Sequence, residues 1–356
     1  MTMHKPGPDS HKLQVDGEGI VHVRAFDLPV SAALSAEARQ AQIGALTRPL
    51  LRPPSVEGLR SEAEFVAYVD AFRRDVDSKF IEPLSRALLG RFPVEIRPNT
   101  IGGVPVEEFT PAACADERRV LINLHGGAFF SGAIFVGRVE SIPVANLGKI
   151  KVVSVDYRQG YEHKYPAASE DVAAVYRGLL NDHSPENIGI YGGSAGGMLC
   201  AQATAWMLEK GLPAPGAVGI FGAGGGGGAG DSAFFAKIGT AEMPPAASGA
   251  YDPMAVVSRG AFGYHSDVAE GDYLAVPLNA PKELLAKFPP TLFITATRAF
   301  DMSSAIAFHR ALTRAGVDAS MQIFDGLGHC FYYQAWLPES QDAYDTIVRF
   351  FDRHLR

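Results

Sequence analysis

From about residue 118 onward, short apolar runs alternate with helical patterns, and this alternation restricts the fold more than any other feature. The runs are "RRVLINL", "KIKVVSV", "ENIGIYGG", "GAVGIF", "PPTLFITAT" and "ASMQIF". Between them, "SEDVAAVYRGLL", "GMLCAQATAWMLEKG" and "SSAIAFHRALTRAG" have helical periodicity, and "SQDAYDTIVRFFDRHL" closes the sequence. Strands that are apolar throughout, rather than on alternate residues, are buried on both faces. The expectation is an α/β fold with a mostly parallel central sheet and helices on both faces.

The flanking segments read differently. Residues 1–30 are polar with scattered Gly and Pro, and read as a flexible tail. Residues 31–90 are helical in pattern, with Ser31 as an N-cap candidate and Ser61 and Glu64 as a capping box, and read as a helical cap segment. "PVEIRPNTIGGVPVEEFTP" alternates about Gly102–Gly103 and predicts a hairpin. Residues 91–230 and 289–356 then form the core. Residues 231–288, rich in Gly, Pro and aromatics, break the alternation as a long excursion between two strands, the form of a functional insertion. The run "GAGGGGGAG", residues 222–230, reads as a mobile loop.

Composition narrows the function. A net charge of −7 over 356 residues, without a Lys/Arg block, argues against a nucleic-acid surface. Cys114, Cys200 and Cys330 are too few and too scattered for a disulfide framework or a zinc site. No stretch has the length and apolarity of a membrane span, and "MTMHKPGPDS" lacks the apolar core of a signal peptide, so a cytoplasmic location is expected. No metal-ligand spacing appears, and neither a cofactor nor a membrane partner is expected; a homodimer is left open.

Three short stretches carry chemistry. Gly192-Gly193-Ser194-Ala195-Gly196 fits G-x-S-x-G between a strand pattern and a helix pattern. A turn this tight forces its serine into strained backbone angles and exposes the hydroxyl at the strand end. The plain alternative is a glycine-rich turn with a capping serine. His125-Gly126-Gly127-Ala128 ends an earlier strand, and two adjacent glycines let backbone N–H groups converge; with Ala195 N–H, those of Gly126 and Gly127 would form an oxyanion hole. His125 is assigned an orienting role there. His329, in "FDGLGHCFYY" after the last core strand, is the candidate general base for Ser194; His163, His183, His265 and His309 are weaker candidates.

HGGAF, GGSAGG, the segment "VDYRQGYEHKYPAASEDVAAVY" and the late histidine together resemble the hormone-sensitive-lipase-like branch of the α/β-hydrolases, over roughly residues 95–356. The resemblance implies an α/β-hydrolase fold with a mainly helical cap. It also implies Ser194 as nucleophile, His329 as base, and Gly126, Gly127 and Ala195 as oxyanion donors. The acid fits poorly, because relatives place an Asp directly after the "ITAT-R" strand, where this chain has Ala299. Asp301 is the first choice, two residues on. Asp231, after another strand, is the alternative, and Asp325 is expected to point elsewhere. A site lacking a third member is the remaining option.

Aromatic residues flank these motifs. Phe129, Phe130 and Phe331 are the pocket candidates, with about half of the neighbouring aromatics expected to be core. The expected substrates are uncharged, apolar esters of small to medium size, cleaved through an acyl-enzyme. A lactonase or xenobiotic-ester hydrolase is the alternative, and a non-catalytic ligand-binding homologue a further one.

Overall fold

The structure is a computed structural model that describes residues 14–15, 17, 21–22, 29–47, 61–114, 116–160, 162–226, 232 and 263–356. The chain divides into two units, Met1–Val30 and Ser31–Arg356. In the first, Gln14–Val15 pairs antiparallel with Val21–His22.

The second unit is built on an eight-stranded sheet. In chain order its strands are β1 (Val94–Ile101), β2 (Val104–Pro111), β3 (Val120–Leu124), β4 (Lys151–Val155), β5 (Ile188–Gly193), β6 (Ala217–Phe221), β7 (Thr291–Ala296) and β8 (Ala319–Phe324). In space the order is β8-β7-β6-β5-β3-β4-β2-β1. The predicted hairpin is β1–β2, antiparallel, and β2 also runs antiparallel to β4; every other pairing is parallel. Residues of β3, β5, β6 and β7 are buried throughout, as their largely apolar runs require, whereas β8 at the edge mixes half-buried and exposed residues.

The helices following these strands are α4 (Phe135–Gly148), α5 (Ala167–Leu179), α6 (Ala195–Glu209), α7 (Met302–Ala315) and α8 (Pro338–His354), preceded in the chain by α1 (Ala36–Thr47), α2 (Glu62–Val76) and α3 (Glu82–Arg91). The chain leaves β3 toward β4 on one side, then returns across to β5 on the other. Such a reversal opens a crevice at the carboxyl ends of the strands on either side of it. The HGG loop leaves β3 there, and Ser194 leaves β5 beside it.

The described residues from 36 to 91 are mainly helical, as their pattern predicted, with two differences. The first helix starts at Ala36, and the side chain of Ser35, not Ser31, caps it by accepting the Ala38 N–H at 3.1 Å. Ser31 instead bonds the Asp325 carboxylate. The Ser61 cap is present, accepting Glu64 N–H at 3.2 Å. The stretch from α2 to α3 is interrupted by a π turn, Asp77–Ile81, just before Pro83. Proline lacks an N–H and its ring crowds the carbonyl four residues back, and the wider turn, with Glu82 N–H bonded to Asp77 O, accommodates both.

The glycine run also departs from expectation over its described part. A β-carbon on Gly224 would collide with the Ser304 backbone, and one on Gly225 with the ring of Phe308. These glycines let the segment pack directly on α7, which is a structural requirement rather than a loose loop. Residues 227–230 and most of the expected cap insertion lie outside the described residues.

Candidate active site

Ser194 is the single residue between β5 and α6. Its backbone has φ 55° and ψ −122°, a conformation that costs an L-residue on the order of 1–3 kcal/mol. The surroundings hold it there. Ser194 N–H bonds Phe221 O at 2.8 Å, and a β-carbon on Gly192 or Gly196 would run into the carbonyl oxygen of Leu124. The flanking glycines are therefore required by the closeness of β3 to the turn. The hydroxyl stays half-buried at the crevice, at the N-terminal end of α6.

His329 follows β8 and reaches across to that hydroxyl, with Nε2 2.8 Å from Ser194 Oγ. Its Nδ1 lies 2.7 Å from Asp301 Oδ1. The second carboxylate oxygen, Oδ2, accepts the Thr295 hydroxyl at 2.7 Å. Asp301 is 4% exposed, so its charge is held by these two partners rather than by water. An ionised Asp only accepts, so Nδ1 must carry the imidazole proton and Nε2 is left to accept from Ser194 Oγ–H. The arrangement can pass a proton from Ser194 to His329. Burial disfavours the imidazolium, but Cys330 and Asp301 outweigh it and raise the His329 pKa well above the ordinary 6.5.

The structure thus brings Asp301, not Ala299, against His329. The reason lies in the turn after β7. Thr297 N–H bonds Phe324 O and Arg298 N–H bonds Leu327 O, so the chain leaving β7 stays tied to the end of β8 and the loop after it. Ala299 then closes a turn onto Ala296 O at 3.0 Å and is 1% exposed. Only after this turn does the chain reach the start of α7, with Asp301 at the capping position. Asp325 is turned away as expected, toward Thr297 and Ser31. Asp231 lies outside the described residues.

The HGG loop has φ of 125° at Gly127, 54° at Ala128 and 59° at Phe129, the last two unusual for residues with a β-carbon. One oxyanion candidate needs correcting. Gly126 N–H is already donated to Glu140 Oε1 at 3.0 Å, so it is not free to meet a substrate oxygen. The N–H groups of Gly127, Ala128 and Ala195 donate to no described residue. Ala128 was not among the donor candidates, since its left-handed backbone leaves no signal in the residue type. His125 is fully buried, stacks on Tyr157 with ring centroids 4.2 Å apart, and its carbonyl accepts the Tyr157 hydroxyl. Burial lowers its pKa to about 4, so it braces the loop as a neutral ring.

The aromatic pocket candidates are packing residues. Phe129 is buried and stacks on Tyr264, with centroids 5.0 Å apart. Phe130 stacks on Phe72 of α2, and its carbonyl accepts the Arg73 Nε–H, which joins this N-terminal helix to the HGG loop. Phe331, 5% exposed, packs on Phe324 behind the site. The aromatic that does meet the site is Phe300, with its ring centroid 4.4 Å from that of His329. Phe234, Phe235 and Phe262 lie outside the described residues. Among the weaker histidines, His265 is buried among Phe129, Tyr165 and Tyr264, and His309 bonds the Ala319 carbonyl.

Sequence reading missed Glu140 altogether. It lies inside α4, 3% exposed, and accepts from Gly126 N–H, Gly193 N–H, Asn123 Nδ2 and Tyr333 O–H. Burial pushes its pKa up to about 7, against the pull of those four donors. An acidic residue within an apolar helical run, "GRVESIPVANLG", was the available signal.

Comparison with known proteins places the fold among esterases. The chain is 25% identical over 280 residues to an esterase of Acinetobacter venetianus, covering 76% of this chain and 87% of that one. It is 33% identical over 119 residues to an acetyl-hydrolase of Streptomyces hygroscopicus, covering 33% of this chain and 39% of the relative. A crystallised esterase superposes with a TM-score of 0.78 at 27% identity, covering 94% of this chain and 99% of the other. A second, an esterase from the bacterial hormone-sensitive lipase family, gives 0.65 at 25% identity over 84% of this chain and 100% of the other. The α/β-hydrolase fold family is matched over residues 121–333, which spans β3, the Ser194 turn, Asp301 and His329. On the sheet order, the strained serine turn and this match, the chain belongs to the α/β-hydrolase fold family.

Proposed function

We propose that this chain is a serine carboxylic-ester hydrolase working through an acyl-enzyme at Ser194. The observation that carries the reading is the continuous relay from Ser194 Oγ through His329 to Asp301, at 2.8 and 2.7 Å. The names of its relatives, esterase and acetyl-hydrolase among them, support the ester as the substrate class.

The steps follow from the atoms present. Ser194 Oγ attacks the ester carbonyl carbon while its proton moves to His329 Nε2. The carbonyl oxygen becomes an oxyanion, for which Gly127, Ala128 and Ala195 hold N–H donors that have no partner among the described residues. Each such donor is worth about 2.7–4 kcal/mol of barrier. Collapse of the tetrahedral adduct breaks the carbon–oxygen bond to the alcohol, which leaves with the proton from Nε2. Water then gives a proton to Nε2 and attacks the acyl carbon. The acid leaves, and Ser194 recovers its proton. Asp301 remains a carboxylate throughout, holding the imidazole tautomer and stabilising the imidazolium.

The substrate side is read from polarity. Phe300 lies against the His329 ring, and the HGG loop brings only Gly127 and Ala128 beside it, which suits uncharged apolar acyl groups of small to medium size. The cap over the site is assigned to residues 31–90 together with residues 231–288.

A fluorophosphonate probe followed by intact-mass measurement tests this reading. One adduct per chain is expected, on Ser194, and none on the Ser194→Ala variant. Failure of the wild-type protein to label, or labelling elsewhere, would sink it.

A further inference from the structure

Glu140 is a buried carboxyl group that the steps above leave unused. It contacts three of the segments around the site, the HGG loop, the Ser194 turn and the stretch after His329. Oε1 accepts from Gly126 N–H at 3.0 Å and from the Tyr333 hydroxyl. Oε2 accepts from Asn123 Nδ2 at 2.8 Å and Gly193 N–H at 3.3 Å. Asn123 and Gly126 bracket the point where the HGG loop leaves β3. Gly193 immediately precedes Ser194. Tyr333 lies four residues beyond His329.

All four neighbours are donors, and a carboxylate has acceptor positions for all four. The amide orientation of Asn123 is fixed from its other side, because Ser154 Oγ donates to its Oδ1 at 2.8 Å. Replacing one carboxylate oxygen by an N–H₂ would set donor against donor at a side chain that is only 3% exposed. The fit is also tight. A β-carbon on Gly193 would come within 2.8 Å of Glu140 Oε1, and one on Gly126 within 3.3 Å. Both glycine backbones therefore rest directly on the carboxylate.

We propose that Glu140 is a positioning residue for ester hydrolysis, one carboxylate that sets the spacing of the HGG loop, the Ser194 turn and the His329 loop. The proposal rests on the roles given above to Ser194, His329 and the HGG loop. Catalytic geometry is sensitive at this scale, since a displacement of about 1 Å can cost on the order of 100-fold in rate. The side chain acts from beneath the loops and touches no substrate.

The test is kcat and KM for p-nitrophenyl butyrate with the wild type, Glu140→Gln and Tyr333→Phe, at a temperature where circular dichroism shows each folded. Glu140→Gln is expected to lower kcat about 10- to 100-fold with KM within about threefold. Tyr333→Phe removes one donor and keeps the carboxylate and the ring, and is expected to lower kcat about three- to tenfold. A lowered melting temperature with wild-type kcat in both variants would show a purely structural role and overturn the proposal. If Glu140→Gln does not fold, wild-type kcat in Tyr333→Phe overturns it alone. An inactive wild type would instead sink the hydrolase reading itself.

Discussion

The turn from β5 into α6 contains one residue, Ser194, whereas the turn from β7 into α7 contains five, Thr297 through Asp301. In the first, the backbone does the positioning. Ser194 sits at φ 55°, and Gly192 and Gly196 lie so close to Leu124 that no side chain fits. In the second, the backbone is relaxed, with Asp301 at φ −79°, and two side-chain bonds do the positioning, to Thr295 and His329. A role fixed by strain demands particular residue types at adjacent positions. A role fixed by contact demands only that a carboxylate arrive at the right place, from any of several positions along a loop.

The two plans should fail differently. The largest effect is expected at the strained turn. Gly196→Ala places a methyl group inside the Leu124 carbonyl, so the β3–β5 spacing and the Ser194 angles cannot both survive. Loss of all measurable p-nitrophenyl ester hydrolysis is expected, with a lowered melting temperature. An active, stable Gly196→Ala protein would break the claim that strain is the device here. The smallest effect is expected at the relaxed turn. Thr295→Val keeps the shape and removes one of the two bonds to Asp301. Hydrogen bonds to charged groups are worth about 1.5–3 kcal/mol, but His329 still holds the carboxylate, so a decrease in kcat of roughly tenfold or less is expected. A loss as large as that of Gly196→Ala would erase the contrast between the two turns.

The same contrast explains what the sequence could convey. The parallel sheet was legible because each central strand is apolar from end to end. Ser194 and the HGG loop were legible because glycines at fixed offsets record close backbone approach. The partner of His329 was only half legible. Counting from the end of β7 led to Ala299, since nothing in "TATRAFDMSS" reveals that Thr297 and Arg298 stay bonded to Phe324 and Leu327. Gly126 was assigned as a donor because its residue type suited the role, but Glu140, fourteen residues on, already takes its N–H. Phe331 looked like a pocket wall by its nearness to His329, and the 3₁₀ turn Phe331–Tyr333 instead carries it inward against Phe324. Each miss is a tertiary contact that no local pattern encodes.

The relay from Ser194 through His329 to Asp301 is tested most directly by the pH dependence of kcat/KM for wild type and Asp301→Asn. The base must be neutral to accept the Ser194 proton, and its pKa is raised above 6.5 in the folded chain. Wild-type activity should therefore rise with pH through a limb above that value and be lost as pH falls through it. Removing the Asp301 charge takes away part of the raise and the hold on the tautomer. The account predicts that kcat/KM of Asp301→Asn drops on the order of 10⁴-fold, with the limb of the residual activity moved to lower pH. An Asp301→Asn protein with near wild-type kcat/KM and an unmoved limb would contradict it.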